Sequence, residues 1–268
     1  MDEQSIINWD ALWKAAQRNY RNIRPNQWDS MAPALKRWMS NDEYFRQFMA
    51  NIRLCPEWTV LDVGCGPGDI TIWAAKRSKH VTALDFSSEM LRLLKETATK
   101  ECLTNIDCIQ CSWEDDRLDS ELDKHDVVIA SRSLATMANL KEGLARIDDK
   151  TKRYAYVTMG AGFSSPLKKM VYKVMGKEIS DPPGYIYAYN LLYQMGIRAN
   201  VKFIEGRSRY IDLNDALEQC RWIAEDLRPS EEKEIAGLLN DCLIKRQDGI
   251  LEFPYNDICW ALMWWEKF

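Results

Sequence analysis

The sequence contains no apolar stretch that approaches eighteen uninterrupted residues, so no membrane-spanning helix is predicted. Its first ten residues, MDEQSIINWD, are acidic and lack the apolar core of a signal peptide. Lys and Arg (36) do not outnumber Asp and Glu (40), and the net charge of −4 provides no excess of positive charge for a phosphate backbone. These absences favour a cytoplasmic protein and argue against nucleic acid and membranes as partners.

Histidine is also scarce, with two residues in the chain, and the eight cysteines are scattered instead of closely spaced. This distribution favours reduced, packed thiols over a disulfide scaffold. The CIQC segment at 108–111 could suggest a metal site, but it has strand character, and positions three apart in a strand face opposite sides. Without a second CxxC pair, no metal site is predicted.

A chain of 268 residues with 46% hydrophobic content can bury a large core, and we expect a single domain with additions. Apolar residues at helical spacing predict an N-terminal helical cap over residues 1–50. Over residues 51–160, strand-like runs such as TVLDVG and HVTALD alternate with helical runs such as SSEMLRLLKETATKE. This alternation predicts a Rossmann-like, doubly wound and mostly parallel α/β sheet.

The regular alternation ends at the fifth strand. Residues 161–196 are predicted to be an insertion or flap, because Pro182 and Pro183 break any helix there. Residues 197–268 contain a strand (ANVKFIEG), two helical stretches and a last strand (DICWALMWWEKF). Such an ending favours an antiparallel pair at one edge of the sheet.

The segment VLDVGCGPG, residues 60–68, runs from a buried strand into three glycines on alternate positions. A helix follows from about Asp69, so the turn lies at the carboxyl end of a strand, where open α/β sheets bind ligands. Glycines in such a turn let a ligand approach the main chain and give access to positive φ. The alternative is a turn that serves only to pack the helix on the strand.

Two phosphate-binding patterns do not fit this turn. The dinucleotide fingerprint needs a glycine where the sequence has Asp69, whose carboxylate would repel a pyrophosphate. The Lys-Ser or Lys-Thr of a phosphate loop is also missing. A ligand with a cationic centre and no phosphates fits better, and an NAD-dependent oxidoreductase is the weakest alternative.

Two motifs resemble those of the class I S-adenosylmethionine-dependent methyltransferases. VLDVGCGPG resembles their first motif, acidic-x-Gly-x-Gly-x-Gly, with Asp62 in the strand. VTALDFSSEML resembles their second, with Asp85 at the end of the next strand. The resemblance implies S-adenosyl-L-methionine as cofactor, with Asp85 accepting hydrogen bonds from both ribose hydroxyls, since a carboxylate offers two acceptor oxygens to a diol.

Two later strand ends follow in the family's order. IQCSWEDD has Ser112 where the family often has Asp for the adenine amino group. HDVVIASRSLATM is similar to the fourth-strand motif and lacks the Asn-Pro-Pro-Tyr signature of adenine and glutamine methyltransferases. The cofactor-binding set that the resemblance implies is Asp62, Gly64, Cys65, Gly66, Gly68, Asp85, Phe86, Ser87, Met90, Ser112, Trp113, Glu114, Ser131 and Arg132.

The resemblance implies direct transfer, in which an N, O, S or C nucleophile of a small-molecule acceptor attacks the sulfonium methyl in line. Positioning and desolvation do most of this work, and no catalytic residue is predicted. His125, at a strand entrance, is interpreted as structural. The alternative function is a catalytically silent S-adenosylmethionine-binding or regulatory protein of the same fold, and oligomeric state has no signature in the sequence.

Aromatic residues outside these motifs are candidates for an acceptor pocket. They lie in the N-terminal helices and in PGYIYAYN, where tyrosines alternate. The equally weighted alternative is helix packing for the tryptophans and a strand edge for the tyrosines. The predicted acceptor-binding set is Trp13, Tyr20, Trp28, Tyr185 and Tyr189.

Overall fold

Seven strands form one central sheet in the computed structural model, which describes residues 7–18, 25–39, 43–179, 181–224, 226–255 and 258–267. The strands of this sheet are β1 (Thr59–Val63), β2 (His80–Asp85), β3 (Ile106–Gln110), β4 (His125–Ser131), β5 (Thr151–Gly160), β6 (Asn200–Gly206) and β10 (Ile258–Glu266). They are arranged in the order β3-β2-β1-β4-β5-β10-β6.

Strand β1 lies where the strand order reverses, because it pairs in parallel with both β2 and β4. Val60 is the partner of Val81 on one side and of Val127 on the other. Open α/β sheets bind ligands at the carboxyl ends of the strands beside such a point. The glycine turn, residues 64–68, follows β1 and lies where a ligand site is expected.

Strand β10 runs antiparallel between β5 and β6. Its Trp260 pairs with Gly160 of β5 and with Ile204 of β6. This is the antiparallel pair expected at one edge of the sheet, and the predicted doubly wound, mostly parallel α/β fold is confirmed.

Helices cover both faces of the sheet, and alternate strand residues pack against each layer. Leu61 and Val63 of β1 share a core with Trp13 and Leu144, whereas Val60 packs in a second core on the opposite face. The helices are α1 (Trp9–Arg18), α2 (Pro25–Met39), α3 (Glu43–Met49), α4 (Asp69–Ala75), α5 (Ser88–Lys100), α6 (Leu118–Glu121), α7 (Leu140–Lys150), α8 (Pro166–Val174), α9 (Tyr185–Gln194), α10 (Leu213–Ile223) and α11 (Pro229–Cys242), with a short 3₁₀ turn at Leu134–Thr136.

A smaller antiparallel sheet forms beside the main one from β7 (Arg209–Tyr210), β8 (Ile244–Lys245) and β9 (Leu251–Glu252). It packs with α8, α10 and α11 around a separate hydrophobic core. Glu252 is 5% exposed, and its carboxylate lies 3.4, 3.1 and 2.8 Å from Arg207, Arg209 and Arg246. One buried carboxylate therefore ties the segments of this sheet together.

The tyrosines of PGYIYAYN lie on a helix, and the strand-edge alternative is wrong. Helix α9 begins after Gly184, and Tyr185 and Tyr189, four residues apart, share one of its faces. Alternate tyrosines have the period of a strand, but the pair Tyr185 and Tyr189, four residues apart, has that of a helix equally well.

Tyr20 lies outside the described residues, and the division into 1–50, 51–160, 161–196 and 197–268 stays a prediction. Within the described part of the chain, no helix is long and apolar enough to cross a membrane.

Candidate functional site

The three glycines of the turn all adopt left-handed backbone conformations, with φ of 67° at Gly64, 55° at Gly66 and 95° at Gly68. A Cβ atom on Gly64 would overlap the side chain of Ser133, and one on Gly68 would overlap Leu94. A Cβ on Gly66 would meet nothing within 4 Å. Two glycines therefore permit close packing, whereas the third leaves its main chain open to a ligand.

Main-chain hydrogen bonds tie this turn to the end of β2. The amides of Gly64 and Cys65 donate to the carbonyl oxygen of Leu84 at 2.7 and 3.0 Å. The amide of Gly66 donates to the Asp85 carboxylate (Oδ2) at 2.9 Å. The two motifs that the sequence separates by about twenty residues are thus joined directly in space.

Asp85 is 7% exposed and accepts a second amide hydrogen bond, from Ser87 to Oδ1, at 2.9 Å. Burial raises the pKa of this carboxyl group, and the two main-chain donors oppose the rise. Ser87 caps helix α5 by accepting from the amide of Met90 at 3.1 Å, and its hydroxyl donates to Asp29 at 2.5 Å. Sequence reasoning missed Asp29, which helix α2 brings from outside both motifs.

Asp62 lies beneath the turn, where it supports helix α4. It is 1% exposed, and its carboxylate accepts a hydrogen bond of 2.6 Å from the hydroxyl of Thr71. Burial, with a smaller contribution from Asp85, raises the pKa of Asp62 to about 7. Its side chain faces the α4 layer, which gives it a structural role under the ligand site.

Two buried polar atoms beside the turn have no hydrogen-bond partner within the described residues. They are Oδ2 of Asp69, at the start of α4, and the hydroxyl oxygen of Ser133, which packs against Gly64. Burial raises the pKa of Asp69, while Arg132 and Lys36 lower it. Buried polar atoms are normally paired, so these two indicate a site that a polar ligand completes.

The end of β4 carries a strained residue. Arg132 has a φ of 59°, and its amide donates to the hydroxyl of Thr158 at 2.9 Å. Its guanidinium carbon lies 4.2 Å from the centre of the Tyr44 ring. The Tyr44 hydroxyl lies 2.6 Å from Ser131 Oγ and 2.7 Å from Thr158 Oγ1, so one buried network holds the strand ends in place.

The predicted cofactor-binding residues that follow β2 and β3 divide between crevice and core. Met90 is 3% exposed and packs with Trp28 of helix α2, and Phe86 is partly buried. Trp113 is 4% exposed and donates from its indole nitrogen to Gly143, which places it in the main core. The remaining two positions are linked to main chain, since Ser112 accepts from the amide of Glu114 at 3.2 Å and Glu114 accepts from the amide of Asn139 at 2.9 Å.

The predicted acceptor residues do not converge on one pocket. Trp13 is fully buried and donates to the carbonyl oxygen of Met137 at 2.9 Å, which supports the helix-packing alternative for it. Trp28 contacts Trp222 at a ring separation of 5.5 Å. Tyr189 packs against the main core, whereas Tyr185 lines a cavity.

This cavity has a volume of about 920 Å³ and lies at the carboxyl end of β5, on the same edge of the sheet as the glycine turn. We call it the acidic cavity, because Asp181 and Glu205 are the charged residues among the described side chains that line it. Four distant parts of the chain after residue 160, together with α1, form its wall. No local motif marks such a site, so sequence reasoning found only the tyrosines.

His125 is held by hydrogen bonds on both ring nitrogens, Nδ1 to the carbonyl oxygen of Asp123 and Nε2 to the hydroxyl of Thr82, each at 2.9 Å. Burial lowers the pKa of His125. It lies at the start of β4, at the opposite edge of the sheet from the glycine turn, which supports its structural interpretation. The described residues include no group of three side chains that could hold a metal ion.

Comparisons with known proteins agree with this geometry. The family described as "Methyltransferase domain" matches residues 60–153, which span β1 to the start of β5. An uncharacterized protein of Haemophilus influenzae is 30% identical over 249 residues, covering 92% of this chain and 91% of that protein. The similarity to this relative extends well beyond the domain match.

Two other similarities are more distant. "Probable ribosomal RNA small subunit methyltransferase A" of Methanosphaera stadtmanae is 30% identical over 94 residues, 35% of this chain and 33% of its own. A phosphoethanolamine N-methyltransferase 2 of Haemonchus contortus, solved with phosphomonomethylethanolamine and S-adenosylhomocysteine, superposes with a TM-score of 0.56 and 13% identity. That superposition covers 98% of this chain and 60% of the Haemonchus protein, and at this identity it supports the fold alone.

Proposed function

Because this chain belongs to the class I S-adenosylmethionine-dependent methyltransferases, we propose that it transfers a methyl group from S-adenosyl-L-methionine to a small-molecule acceptor. The observation that carries the proposal is the open main chain of Gly66, which is hydrogen-bonded to Asp85 across the switch point of the sheet. Other glycines of the chain, such as Gly176 and Gly249, also meet nothing, but Gly66 lies at the carboxyl end of β1 beside the point where the strand order reverses, where ligands bind.

The residues around the turn fit this cofactor. Each carboxylate oxygen of Asp85 accepts one amide hydrogen bond, and a carboxylate has acceptor capacity left for two hydroxyls. Asp69 and Ser133 offer unpaired polar atoms, which the ammonium and carboxylate groups of an amino acid can satisfy. The site therefore matches a ligand with a ribose at one end and an amino acid at the other.

When bound, S-adenosyl-L-methionine supplies a methyl group that its positive sulfur activates. The chain contributes position and shelter from water. Helix α1 fixes the segment after β4 through two hydrogen bonds, from Trp13 to Met137 and from Gln17 to Ala135. The Tyr44 network holds Ser131 and Arg132 at the same edge, so the crevice is preorganised by groups that need no proton transfer.

A small-molecule acceptor is favoured over RNA for two reasons. The net charge of −4 gives no general attraction for a phosphate backbone. The acidic cavity, at about 920 Å³, has the size of a small-molecule site, for which roughly 300–1,000 Å³ is typical. Incubation with methyl-labelled cofactor and either total RNA or a metabolite extract separates the two, and label in RNA alone would overturn the small-molecule assignment.

Calorimetry tests the cofactor assignment directly. We expect S-adenosylmethionine and S-adenosylhomocysteine to bind and NAD not to bind. Binding of NAD alone would overturn the proposal. Cofactor binding without methyl transfer to any acceptor would favour the catalytically silent alternative.

All eight cysteines are free, which supports the proposed location in the cytoplasm, since that compartment is reducing.

Asp85→Asn tests the residue assigned to the ribose. We expect S-adenosylhomocysteine affinity to fall by about 1–3 kcal/mol, because charge-assisted hydrogen bonds to the diol are lost. Asp107→Asn on the neighbouring strand β3, with a side chain 76% exposed, serves as the matched control. Equal affinities for the two variants would remove Asp85 from the site.

A further inference from the structure

The acidic cavity lies at the carboxyl ends of β5 and β6 and the amino end of β10. Glu205 of β6 pairs with Cys259 of β10, and the amide of Ala161 donates to the carbonyl oxygen of Cys259 at 3.1 Å. A Cβ atom on Gly184 would overlap the main chain of Gly162, so two segments of the cavity wall touch at their glycines. The cavity is therefore a built feature, held by main chain on several sides.

One short segment separates this cavity from the glycine turn. Ala16 of α1 lines the cavity, and the next residue, Gln17, donates to the carbonyl oxygen of Ala135. Ser133, which lies two residues before Ala135, packs against Gly64. The cavity and the cofactor crevice thus lie next to each other at the same edge of the sheet, and an acceptor held in the cavity has to extend past this segment for its nucleophile to contact the methyl group.

The chemistry of the cavity wall is aromatic and acidic. The rings of Tyr185 and Phe203 meet edge to face at 5.4 Å, and Phe163 beside them is 77% exposed. The described lining residues include Asp181 and Glu205 but no Lys, Arg or His. Aromatic faces and carboxylates both attract cations, and the rings also cover apolar surface.

The Glu205 carboxylate has fewer partners than the Asp181 carboxylate. The Asp181 carboxylate accepts from the amide of Ser164 at 2.7 Å and is under the influence of Lys168 and Lys169 on helix α8. The Glu205 carboxylate makes no hydrogen bond or ion pair with any residue that the structure describes. Its charge reaches the cavity wall, because it adds to burial in raising the pKa of the Cys259 thiol.

We propose that the acidic cavity binds the methyl acceptor, which carries a cationic amine group on an apolar body. Because an ammonium has no lone pair, the nucleophile is a separate neutral atom of the same molecule. That atom bonds to the methyl carbon as the C–S bond breaks, S-adenosylhomocysteine leaves, and any proton on the nucleophile passes to water. The cavity holds the ammonium group. Glu205 is its counter-ion, and the rings of Tyr185 and Phe203 cover the apolar part. The role of the bound amine as methyl acceptor rests on the proposed function, whereas the preference of the cavity for amines is tested independently of methyl transfer.

Three probes of matched size separate charge from shape: tryptamine (cation), tryptophol (neutral) and indole-3-acetate (anion). Each is titrated by NMR into protein saturated with S-adenosylhomocysteine. We expect tryptamine to bind about tenfold more tightly than tryptophol, and indole-3-acetate to bind least. Glu205→Gln is expected to remove that tenfold preference and to leave tryptophol binding unchanged. Glu234→Gln removes an exposed carboxylate on α11. It is the matched control and should keep the preference for tryptamine over tryptophol.

Cys259 provides a second measurement that needs no variant. Tryptamine is expected to slow alkylation of Cys259 by iodoacetamide, measured by peptide mass spectrometry, while the exposed Cys102 reacts at an unchanged rate. Equal affinity for the three probes, an unaffected preference in Glu205→Gln or unprotected Cys259 would each overturn the amine proposal. These outcomes leave the proposed function intact as long as S-adenosylhomocysteine binds, and failure of that binding would overturn the proposed function instead.

Discussion

The cofactor crevice and the acidic cavity lie at one edge of the same sheet but are built in opposite ways. Residues 60–90 form the centre of the crevice, with Asp29 and the end of β4 beside them, and its principal contacts are main-chain amides, carbonyl oxygens and two buried carboxylates. The cavity uses side chains from segments spread between Ala16 and Cys259. A ligand shared by a whole family can be recognised through the main chain, whereas recognition of an individual ligand depends on side chains that are free to vary.

The contrast also concerns tolerance to substitution. Gly64 and Gly68 have no room for a Cβ atom, and Asp62 is 1% exposed. Phe203 in the cavity is 47% exposed, and Glu205 is exposed as well. Changes in the crevice should therefore damage both the fold and cofactor binding, while changes in the cavity should alter ligand preference in a stable protein.

The largest expected effect tests the packing of the turn. Gly64→Ala combines a left-handed backbone, costing about 1–2 kcal/mol, with an overlap against Ser133 that adds about 1–3 kcal/mol. We expect the free energy of unfolding, measured by urea denaturation, to fall by the total of these terms. S-adenosylhomocysteine binding should be lost with it.

Two other glycines sharpen this test. Gly66→Ala should cost only the backbone term of about 1–2 kcal/mol, because its Cβ meets nothing, yet it should weaken cofactor binding by filling the open space. Gly237→Ala, within helix α11 and also in open space, should stabilise the protein by about 0.5–1 kcal/mol. Similar losses of stability in all three variants would contradict the division of roles within the turn.

An intermediate effect comes from the pH dependence of Asp62. Raising its pKa from 3.8 to about 7 corresponds to roughly 4 kcal/mol at about 1.4 kcal/mol per pH unit. The folded state binds the proton more tightly than the unfolded state, so this stability is complete below pH 3.8 and is lost as pH rises to about 7. Asp62→Asn should therefore gain stability relative to wild type between pH 4 and 7, with no further gain above about 7.

Urea midpoints of both proteins at pH 5, 6, 7 and 8 measure this trend. Asp116→Asn, whose side chain is 99% exposed, is the control and should follow wild type at every pH. A difference between Asp62→Asn and wild type that stays constant with pH would show that the burial of Asp62 does not set its titration.

The smallest expected effect compares one helix cap from each region. Ser87 caps α5 beside the crevice, and Ser165 caps α8, two residues after Phe163 of the cavity wall, each by accepting an amide hydrogen bond of 3.1 Å. Replacement by Ala should cost about 1 kcal/mol at Ser165 and more at Ser87, where Asp29 also loses its donor. Only Ser87→Ala should weaken S-adenosylhomocysteine binding, and equal binding by both variants would contradict this.

Sequence reasoning was strongest where a function occupies one contiguous stretch. The glycine turn and Asp85 follow successive strands, so their meeting could be predicted from the parallel fold. Trp113, assigned to the site by family resemblance, lies in the core, because an aromatic residue beside a motif packs wherever apolar area is buried. Phe203 and Glu205 gave no signal, since a strand at the sheet edge exposes aromatic and acidic residues for many reasons.

Tyr185 and Tyr189 illustrate a different limit. Alternate tyrosines satisfy the period of a strand, and a pair four apart satisfies that of a helix, so eight residues did not decide between them. The tertiary environment decided for the helix, because α9 buries Ala188 and Leu191 against the main core. The acidic cavity could be recognised only after this helix was placed.

The position of β10 has a consequence for how the protein is made. Strand β6 is hydrogen-bonded to β10 alone among the described strands, so it must wait for later residues to leave the ribosome before it can join the sheet. Until then, the edges of β5 and β6 that pair with β10 are both unpaired, and unpaired strand edges promote aggregation. A chain truncated before Ile258 would carry both unpaired edges, and it should aggregate more readily than a chain that contains β10.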